Sequence, residues 1–526
     1  MRRNDEPWEP DSTSCGRRTF LGSTLAVAGV GFGWAQTATT SQSTGDRIDT
    51  YLTREMDAER LPGVSIGLVE GEGTTYLRGF GSAGGAPVSP DTPFLIGSVS
   101  KSFTGLAIAQ LVERDVLALE DTVEAYLPWL QLSNTDAASR ITVAHLLGHR
   151  SGIPEGAYRV DHGSIEAGLR ALRNVELAFP PGEGFEYSSV NYQILGAIVQ
   201  KVTGLSFGEY LQEHVFSPLE MSQSFTSQRA AERNGLATGH QYVLGYPITR
   251  QLPHDPGGLP NGYVVSSTRD LTRYVRAHLN QGIVDGKRVV SPTVIERTHT
   301  ALASVDSSNE YAMGWILGER NGMQAVWHSG KNPNFQAAIV MIPEQNLGVV
   351  VLINSASPLV GNVARRLATG VASIVVGRIP PEGNRTLPET YVPIIAGIAI
   401  VSLLEIRSMW KLRTYSDRLA EQTPRWRRLL ADGRKSGLQS FQLQYRRWFQ
   451  FLRQGSGPIV WDVIIGSVLL FVIPTVFAPS LEAMWLGAPD ITIVLVAFGI
   501  LSLGKGAFKC WVGVRSLRRA RAIGEP

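Results

Sequence analysis

The sequence has few cysteines and few charged residues. Its 526 residues include only Cys15 and Cys510, one near each terminus. This excludes a disulfide framework and any cysteine-based zinc or iron–sulfur site. Charged residues make up 18% of the chain, whereas they make up about 25% of ordinary soluble domains. With 43% hydrophobic residues, this composition is typical of a folded protein with membrane-associated segments and excludes a disordered chain.

The net charge of +3 is distributed unevenly along the chain. Residues 406–458 contain twelve Lys or Arg against three Asp or Glu, which gives +9, and residues 505–526 carry +5. Residues 19–404 carry −7. Because the basic excess is local and the main body is mildly acidic, we expect no nucleic-acid partner.

Residues 1–36 are expected to form an export signal or an N-terminal anchor. Arg17 and Arg18 precede an apolar, glycine-rich stretch from Leu21 to Ala35. This resembles a twin-arginine signal with a small-residue cleavage site at its end. An uncleaved anchor helix is the alternative, and either would place the next domain outside the cytoplasm. Residues 37–45, rich in Thr and Ser, are interpreted as a linker.

Residues 46–378 are predicted to form one mixed α/β (α+β) domain. Short apolar runs predict two β-hairpins, Val64–Glu70 with Thr74–Phe80 and Gln336–Ile342 with Gly348–Asn354. Helical spacing is found between and around them, at Arg47–Arg60, Ser98–Arg114, Val190–Val202, Phe207–Val215, Thr268–Leu279 and Leu359–Val376. We therefore expect an antiparallel sheet built from both ends of the domain, with helices packed against it.

A linker at 379–390 is followed by a region, 391–526, that is predicted to hold three transmembrane helices. Apolar segments lie near 391–409, 459–477 and 488–508. Only the second approaches by itself the roughly 20 residues that a spanning helix needs, so buried core helices are the alternative. The basic loop 410–458 favours the membrane interpretation, because basic loops stay in the cytoplasm. We expect a multi-pass protein of the cell membrane, in contact with lipid, whose main domain is extracytoplasmic.

The segment Ser98-Val99-Ser100-Lys101 is the most informative motif. A serine and a lysine three residues apart on a helix lie on one face. A desolvated, neutral lysine amine can then accept the proton of the serine hydroxyl, which makes the serine a nucleophile. The helix N-terminus supplies backbone donors near the developing negative charge. By itself this pattern is weak, because an N-cap serine followed by a solvated lysine is common.

Two later segments change that interpretation by their order. Residues 181–192, PGEGFEYSSVNY, place Tyr187 in a loop just before a predicted helix, and residues 326–331, VWHSGK, place small residues ahead of the last hairpin. Taken alone, Tyr187 is better explained by packing and His328 as a strand-end histidine. With the serine–lysine motif and residues 149–153, HRSGI, the set resembles the serine β-lactamase and penicillin-binding-protein superfamily. Within it, the motifs are most similar to the class C-like branch, which includes D-alanyl-D-alanine carboxypeptidases, D-amino-acid peptidases and esterases.

The resemblance covers about residues 46–378 and implies a role for each matching residue. It makes Ser98 the acylated nucleophile and Lys101 its proton acceptor. Tyr187 is implied to pass the proton to the leaving group. His328 stands where many members have lysine. It is implied to hold a substrate carboxylate or the tyrosine hydroxyl by a charge-assisted bond.

The resemblance also implies an oxyanion hole and a substrate-binding strand. The backbone N–H groups of Ser98 and Lys331 are implied to form the hole, which explains the small residues before Lys331. Ser329 and Gly330 are implied to contact substrate, together with Ser189. Ser189 stands where the family's second motif usually ends in asparagine, and Asn191 is out of register with that position.

Two other patterns are given structural explanations. Residues 204–208, GLSFG, match a nucleophile elbow, but that elbow follows a strand. Here a predicted helix precedes it, and Ser206 with Glu209 is interpreted as a capping box. His145 and His149 are four residues apart without a third ligand at metal spacing. One is expected to pack and the other to order the following turn, so no metal or cofactor is expected.

The sequence thus predicts an enzyme, a membrane-tethered, extracytoplasmic serine hydrolase or peptidase acting through an acyl-enzyme. Its expected partner is a small-molecule or peptide substrate: a cell-wall peptide, a β-lactam, or a small ester or amide. The alternative is a receptor module that binds a ligand, or is acylated by it without turnover, and signals through its membrane helices.

Overall fold

The computed structural model describes residues 43–157, 163–252, 255–357, 361–382 and 489–522, with isolated positions between 392 and 464. The predicted export signal at 1–36 lies outside the described residues. So does the basic loop 410–458, and so do the first two predicted membrane helices apart from those isolated positions. These three predictions therefore stay predictions.

Strands are numbered here in chain order. They are β1 Gly63–Glu70, β2 Gly73–Gly81, β3 Phe94–Leu95, β4 His240–Val243, β5 Tyr246–Thr249, β6 Val265–Ser266, β7 Ile283–Val284, β8 Lys287–Arg288, β9 Ala303–Ser304, β10 Asn309–Tyr311, β11 Ile316–Arg320, β12 Met323–Asn332, β13 Phe335–Ile342, β14 Leu347–Ile353 and β15 Ser355–Ala356.

The α-helices are numbered in the same way. They are α1 Thr44–Glu59, α2 Ser100–Glu113, α3 Val123–Tyr126, α4 Thr135–Ala138, α5 Val143–Leu147, α6 Ile165–Arg170, α7 Ser189–Thr203, α8 Phe207–Leu211, α9 Gln228–Arg233, α10 Leu259–Gly262, α11 Thr268–Leu279, α12 Pro292–Thr298, α13 Val363–Val375 and α14 Pro489–Ala522.

The main sheet is antiparallel and joins both ends of the domain. Its strand order is β2-β1-β14-β13-β12-β11-β10-β9. Strand β1 of the first hairpin pairs with β14, the last long strand in the chain, with Val64 opposite Ile353. Both predicted hairpins and the sheet built from both chain ends are therefore confirmed.

The core lies on both faces of this sheet. In β13, Ala338, Val340 and Ile342 point to one face, where they pack with α1 and α13. Ala337, Ile339 and Met341 point to the other face and join the larger cluster formed by the remaining helices. Alternate residues of a strand face opposite sides of a sheet. A strand covered on both sides therefore has the continuous apolar run that predicted it.

Four strands of the sheet, β9 to β12, extend it beyond the predicted hairpins. They carry little apolar alternation, since β10 has only three residues and β12 contains Gln, His, Ser, Lys and Asn. The segment that holds Lys331 precedes the β13–β14 hairpin, as expected, and is itself the strand β12, in which Lys331 lies opposite Gln336 of β13.

The predicted helices agree with the structure apart from their ends. The predicted helix Thr268–Leu279 has the bounds of α11. The helix predicted from Ser98 begins instead at Ser100, after a 3-10 turn.

The third predicted membrane helix, 488–508, falls almost wholly within α14. Among the residues that the structure describes, no helix combines the length and the apolar character needed to cross a membrane.

Candidate active site

Ser98 lies in a tight 3-10 turn, Gly97–Val99, that leads into α2. The turn begins at Gly97, whose φ of +55° is in the left-handed region that glycine adopts without steric cost. A Cβ at Gly97 would also lie 2.5 Å from the backbone nitrogen of Lys331. A glycine here therefore lets the turn approach β12, and it leaves Ser98 partly exposed at the surface of the site.

Gly330 makes the same approach possible from the strand side. A Cβ at this position would lie 1.8 Å from the carbonyl oxygen of Ile96 and 3.0 Å from the backbone nitrogen of Ser98. The two glycines thus bring the backbones of Ser98 and Lys331 together. This is the arrangement that the predicted oxyanion hole requires.

Lys101 is fully buried at the start of α2. Its Nζ donates to the carbonyl oxygen of Asn261 at 2.9 Å and lies 3.3 Å from Ser98 Oγ and 3.4 Å from Ser189 Oγ. Burial disfavours the charged amine and lowers its pKa from 10.5 to about 7, while the negative charge of Glu155 acts in the opposite direction. A substantial fraction of this amine is therefore neutral at pH 7, as a proton acceptor must be.

Tyr187 lies beside both Lys101 and Ser98. Its ring centre is 4.8 Å from Lys101 Nζ. Burial raises the pKa of its hydroxyl well above the usual value, although a hydrogen bond with Ser98 opposes the shift. The environments of Lys101 and Tyr187 thus move their pKa values apart, which is how sites separate a proton acceptor from a proton donor.

His149 forms part of the wall of this site, a role that sequence reasoning did not identify. Its ring packs 4.5 Å from that of Tyr187 and 4.5 Å from that of Tyr311. Its Nδ1 accepts a hydrogen bond from the backbone N–H of Ser188 at 3.0 Å. Burial and the nearby Lys101 hold its pKa well below the usual value, so the ring is neutral.

The two histidines that resembled a metal pair have separate structural tasks. The Nδ1 of His145 accepts from the backbone N–H of Thr142 at 3.3 Å and so caps α5. His149 orders the segment that contains Tyr187 and Ser188, through its hydrogen bond with the backbone of Ser188. In the part of the chain that the structure describes, no group of three or more His, Cys, Asp or Glu residues is arranged to hold a metal ion.

His328 lies in β12, and its ring contacts Tyr311 and Ser329. Its Nδ1 donates to the carbonyl oxygen of Ser329 at 2.9 Å, and its Nε2 lies 3.2 Å from the hydroxyl of Tyr311. The tyrosine hydroxyl it contacts is therefore that of Tyr311 rather than that of Tyr187. Burial, together with the nearby Lys101, lowers its pKa to about 3. The ring makes both of these bonds in its neutral form, and the implied contact with a substrate carboxylate stays a prediction.

Ser189 is the first residue of α7 and connects Lys101 to Glu155. Its backbone N–H and its hydroxyl both donate to the Glu155 carboxylate, the hydroxyl at 3.0 Å. Asn191, the out-of-register asparagine, is fully buried. Its Oδ1 accepts from the hydroxyl of Ser151 at 2.7 Å, in the core beneath the site.

Glu155 is a further residue of this site that the sequence did not suggest. It lies in a short 3-10 turn, Glu155–Ala157, and its side chain is exposed. No spacing links it to Ser98 or Ser189, so only the fold brings them together. Ser206, the serine of the segment that matches a nucleophile elbow, instead caps α8 through a capping box with Glu209, as predicted.

Known proteins similar to this chain agree with the fold. A beta-lactamase family profile matches residues 48–372. Protein flp of Staphylococcus aureus (strain MW2) is 31% identical over 338 residues, which cover 62% of this chain and 66% of that protein. The chain thus spans just under two thirds of the length of that relative.

A second relative and a solved structure extend this agreement. Penicillin-binding protein 4 of Amycolatopsis lactamdurans is 29% identical over 365 residues, covering 66% of this chain and 92% of that protein. The octameric penicillin-binding protein homologue from Pyrococcus abyssi has a TM-score of 0.57 and 29% identity, covering 64% of this chain and 78% of that one. Since the profile spans more than half of the 526 residues, this chain belongs to the beta-lactamase family of serine hydrolases and penicillin-binding-protein homologues.

Proposed function

We propose that the chain is a serine hydrolase that acts through an acyl-enzyme at Ser98. The observation that carries the proposal is the buried amine of Lys101, 3.3 Å from Ser98 Oγ, with its pKa lowered to about 7. A lysine buried at this cost to its charged form is explained by proton transfer rather than by stability.

In the first step the substrate carbonyl occupies the space between the backbone nitrogens of Ser98 and Lys331. Ser98 Oγ attacks the carbonyl carbon while its proton moves to Lys101. The two N–H groups stabilise the negative charge that develops on the carbonyl oxygen. The hydroxyl of Tyr187 is a suitable donor to a leaving amine or alcohol, because its raised pKa keeps it protonated.

The proposed substrates are a cell-wall peptide, a β-lactam, or a small ester or amide. The likeness to a penicillin-binding protein supports an acyl donor of the first two kinds. The position usually held by asparagine is occupied by Ser189, which reaches Lys101 and Glu155. This difference favours testing esters beside peptides and lactams.

A turnover panel on the full-length protein in detergent tests this proposal. Hydrolysis of a D-alanyl-D-alanine peptide, nitrocefin and p-nitrophenyl esters is measured for the wild type, for Ser98→Ala and for the control Ser206→Ala. Turnover of at least one substrate that Ser98→Ala abolishes and Ser206→Ala preserves is the expected result. Acylation by fluorescent penicillin without turnover of any substrate would favour the receptor alternative.

We further propose that the C-terminal region tethers the domain to the outer face of the cell membrane. The +9 charge of residues 406–458 supports this, because loops rich in Lys and Arg resist translocation. The test uses a Cys15→Ser, Cys510→Ser background with single cysteines at Ser307 or Ser436. An impermeant thiol reagent should label Ser307→Cys in intact cells and Ser436→Cys only after lysis. Labelling of both from outside would contradict this topology.

A further inference from the structure

A chain of hydrogen-bonding groups leads from the nucleophile to the protein surface. Lys101 Nζ lies 3.3 Å from Ser98 Oγ and 3.4 Å from Ser189 Oγ, and Ser189 Oγ lies 3.0 Å from a carboxylate oxygen of Glu155. Lys101 is fully buried, whereas Glu155 is exposed. The chain therefore connects a buried amine to a group in contact with solvent.

We propose that Ser189 and Glu155 form the route by which the proton taken from Ser98 leaves Lys101 when the leaving group departs without it. This inference rests on the proposed hydrolase function and concerns substrates whose leaving group is a stable anion, such as a nitrophenyl ester. In this role Ser189 and Glu155 act through Lys101.

When the leaving group departs as an anion, the hydrogen bond with Ser189 is the one described hydrogen bond of Lys101 through which the proton can leave. The carbonyl oxygen of Asn261 can accept a hydrogen bond but has no proton to pass on. In the acyl-enzyme Ser98 Oγ carries the acyl group, so it bears no proton either. The hydroxyl of Ser189 both accepts and donates, and its acceptor is Glu155.

The proton balance depends on the leaving group. An amine or alkoxide must be protonated to depart. Tyr187 gives its hydroxyl proton to the leaving group and regains one from Lys101, so the proton taken from Ser98 leaves with the product. A p-nitrophenolate departs as the anion, and the proton stays on Lys101 as an ammonium. That proton then moves to Ser189 Oγ as the hydroxyl proton of Ser189 moves to Glu155. Glu155 releases it to water, and the neutral amine is restored.

The restored amine is required for the second half of the reaction. Water adds to the acyl carbonyl and gives a proton to Lys101. That proton passes to Ser98 Oγ as the bond between Ser98 and the acyl group breaks. Without a route for the first proton, Lys101 remains an ammonium and the acyl-enzyme persists.

The test compares the burst and steady-state phases of p-nitrophenyl ester hydrolysis at pH 8 by the full-length protein. In Glu155→Gln the burst rate should stay within about threefold of wild type, and in both Glu155→Gln and Ser189→Ala the steady-state rate should fall relative to the burst rate. The steady-state rate should fall on the order of 10²-fold, the lower end of the range for proton-transfer catalysis. Hydrolysis of an amide or peptide substrate should be affected far less, because its leaving group removes the proton.

Three control variants separate proton transfer from packing. Ser189→Thr keeps the hydroxyl and should restore steady-state turnover. Ser189→Asn keeps hydrogen-bonding groups but has no hydroxyl to relay the proton, so it should remain slow. The double variant Ser189→Ala, Glu155→Gln should be no slower than either single variant, because both interrupt one chain.

Two sets of results would decide against the route. Equal steady-state ester turnover in wild type, Glu155→Gln and Ser189→Ala would overturn it, as would a Ser189→Thr variant as slow as Ser189→Ala. Failure of the hydrolase proposal itself has a different signature, since the wild type would then show no burst or Ser98→Ala would retain one.

Discussion

Acylation of Ser98 should follow the protonation state of Lys101. Only the neutral amine can take the serine proton, and burial lowers the pKa of this amine from 10.5 to about 7. The rate of acylation should therefore be low in acid, rise through about pH 7 and level off above it. The assay is the rate of labelling by a fluorophosphonate, measured from pH 6 to pH 9 on the full-length protein.

The size of the rise distinguishes a buried lysine from a solvated one. With a pKa of about 7, the neutral fraction is about 0.1 at pH 6 and about 0.9 at pH 8, so the rate should increase about tenfold and then reach a plateau. A lysine with an ordinary pKa would give roughly a 100-fold rise over the same interval, with no plateau. A rise of that kind would refute the assignment of Lys101 as a buried base.

Other titratable groups around the amine do not explain such a rise of the acylation rate between pH 6 and pH 8. Burial and the nearby Lys101 hold the pKa values of His149 and His328 far below this range, so both rings are neutral from pH 6 to pH 8. Tyr187 stays protonated because its pKa is raised. The negative charge of Glu155 raises the pKa of Lys101, so Glu155→Gln should shift the rise of the acylation rate to lower pH.

Substitutions at Lys101, Gly330 and Lys331 extend these expectations. Lys101→Arg should reduce the acylation rate by about 10² to 10⁴ and remove its rise with pH, since a guanidinium does not lose its proton in this range. Stopped-flow labelling measures the rate, and near wild-type rates would mean that the amine is not the base. Gly330→Ala should lose most activity and about 1–3 kcal/mol of stability, because its Cβ would lie 1.8 Å from the carbonyl oxygen of Ile96. Thermal melts and hydrolysis rates compare it with Gly73→Ala, where a Cβ meets nothing within 4 Å. Equal behaviour of the two variants would contradict the close approach of Gly330 to Ile96. Lys331→Ala should retain most activity, whereas Lys331→Pro, which lacks the N–H donor, should lose about 10² to 10³ in rate; equal hydrolysis by both variants, once shown to melt alike, would place the oxyanion hole elsewhere.

The parts of the fold that depend on local patterns were predictable. The strands β1, β13 and β14 are buried on both faces, so they read as apolar runs. The strands β9 to β11 are short or partly exposed and lie at one edge of the sheet, so tertiary pairing rather than sequence pattern defines them.

The site was predictable to the extent that its residues share a local motif. Ser98 and Lys101 are one turn apart, and Tyr187 lies just before a helix, so their positions follow from spacing and order. Glu155 and Tyr311 come to the site from separate loops and strands. Their contribution depends on how distant segments meet in the fold, which no local spacing records.

Mass spectrometry of the labelled protein tests the central claim most directly. After reaction of the full-length chain with a fluorophosphonate, digestion should yield one modified peptide, and fragmentation should place the adduct on Ser98. Ser98→Ala should carry no adduct, and Ser206→Ala should be modified like wild type. An adduct on another residue, or labelling that survives in Ser98→Ala, would contradict the assignment of Ser98 as the nucleophile.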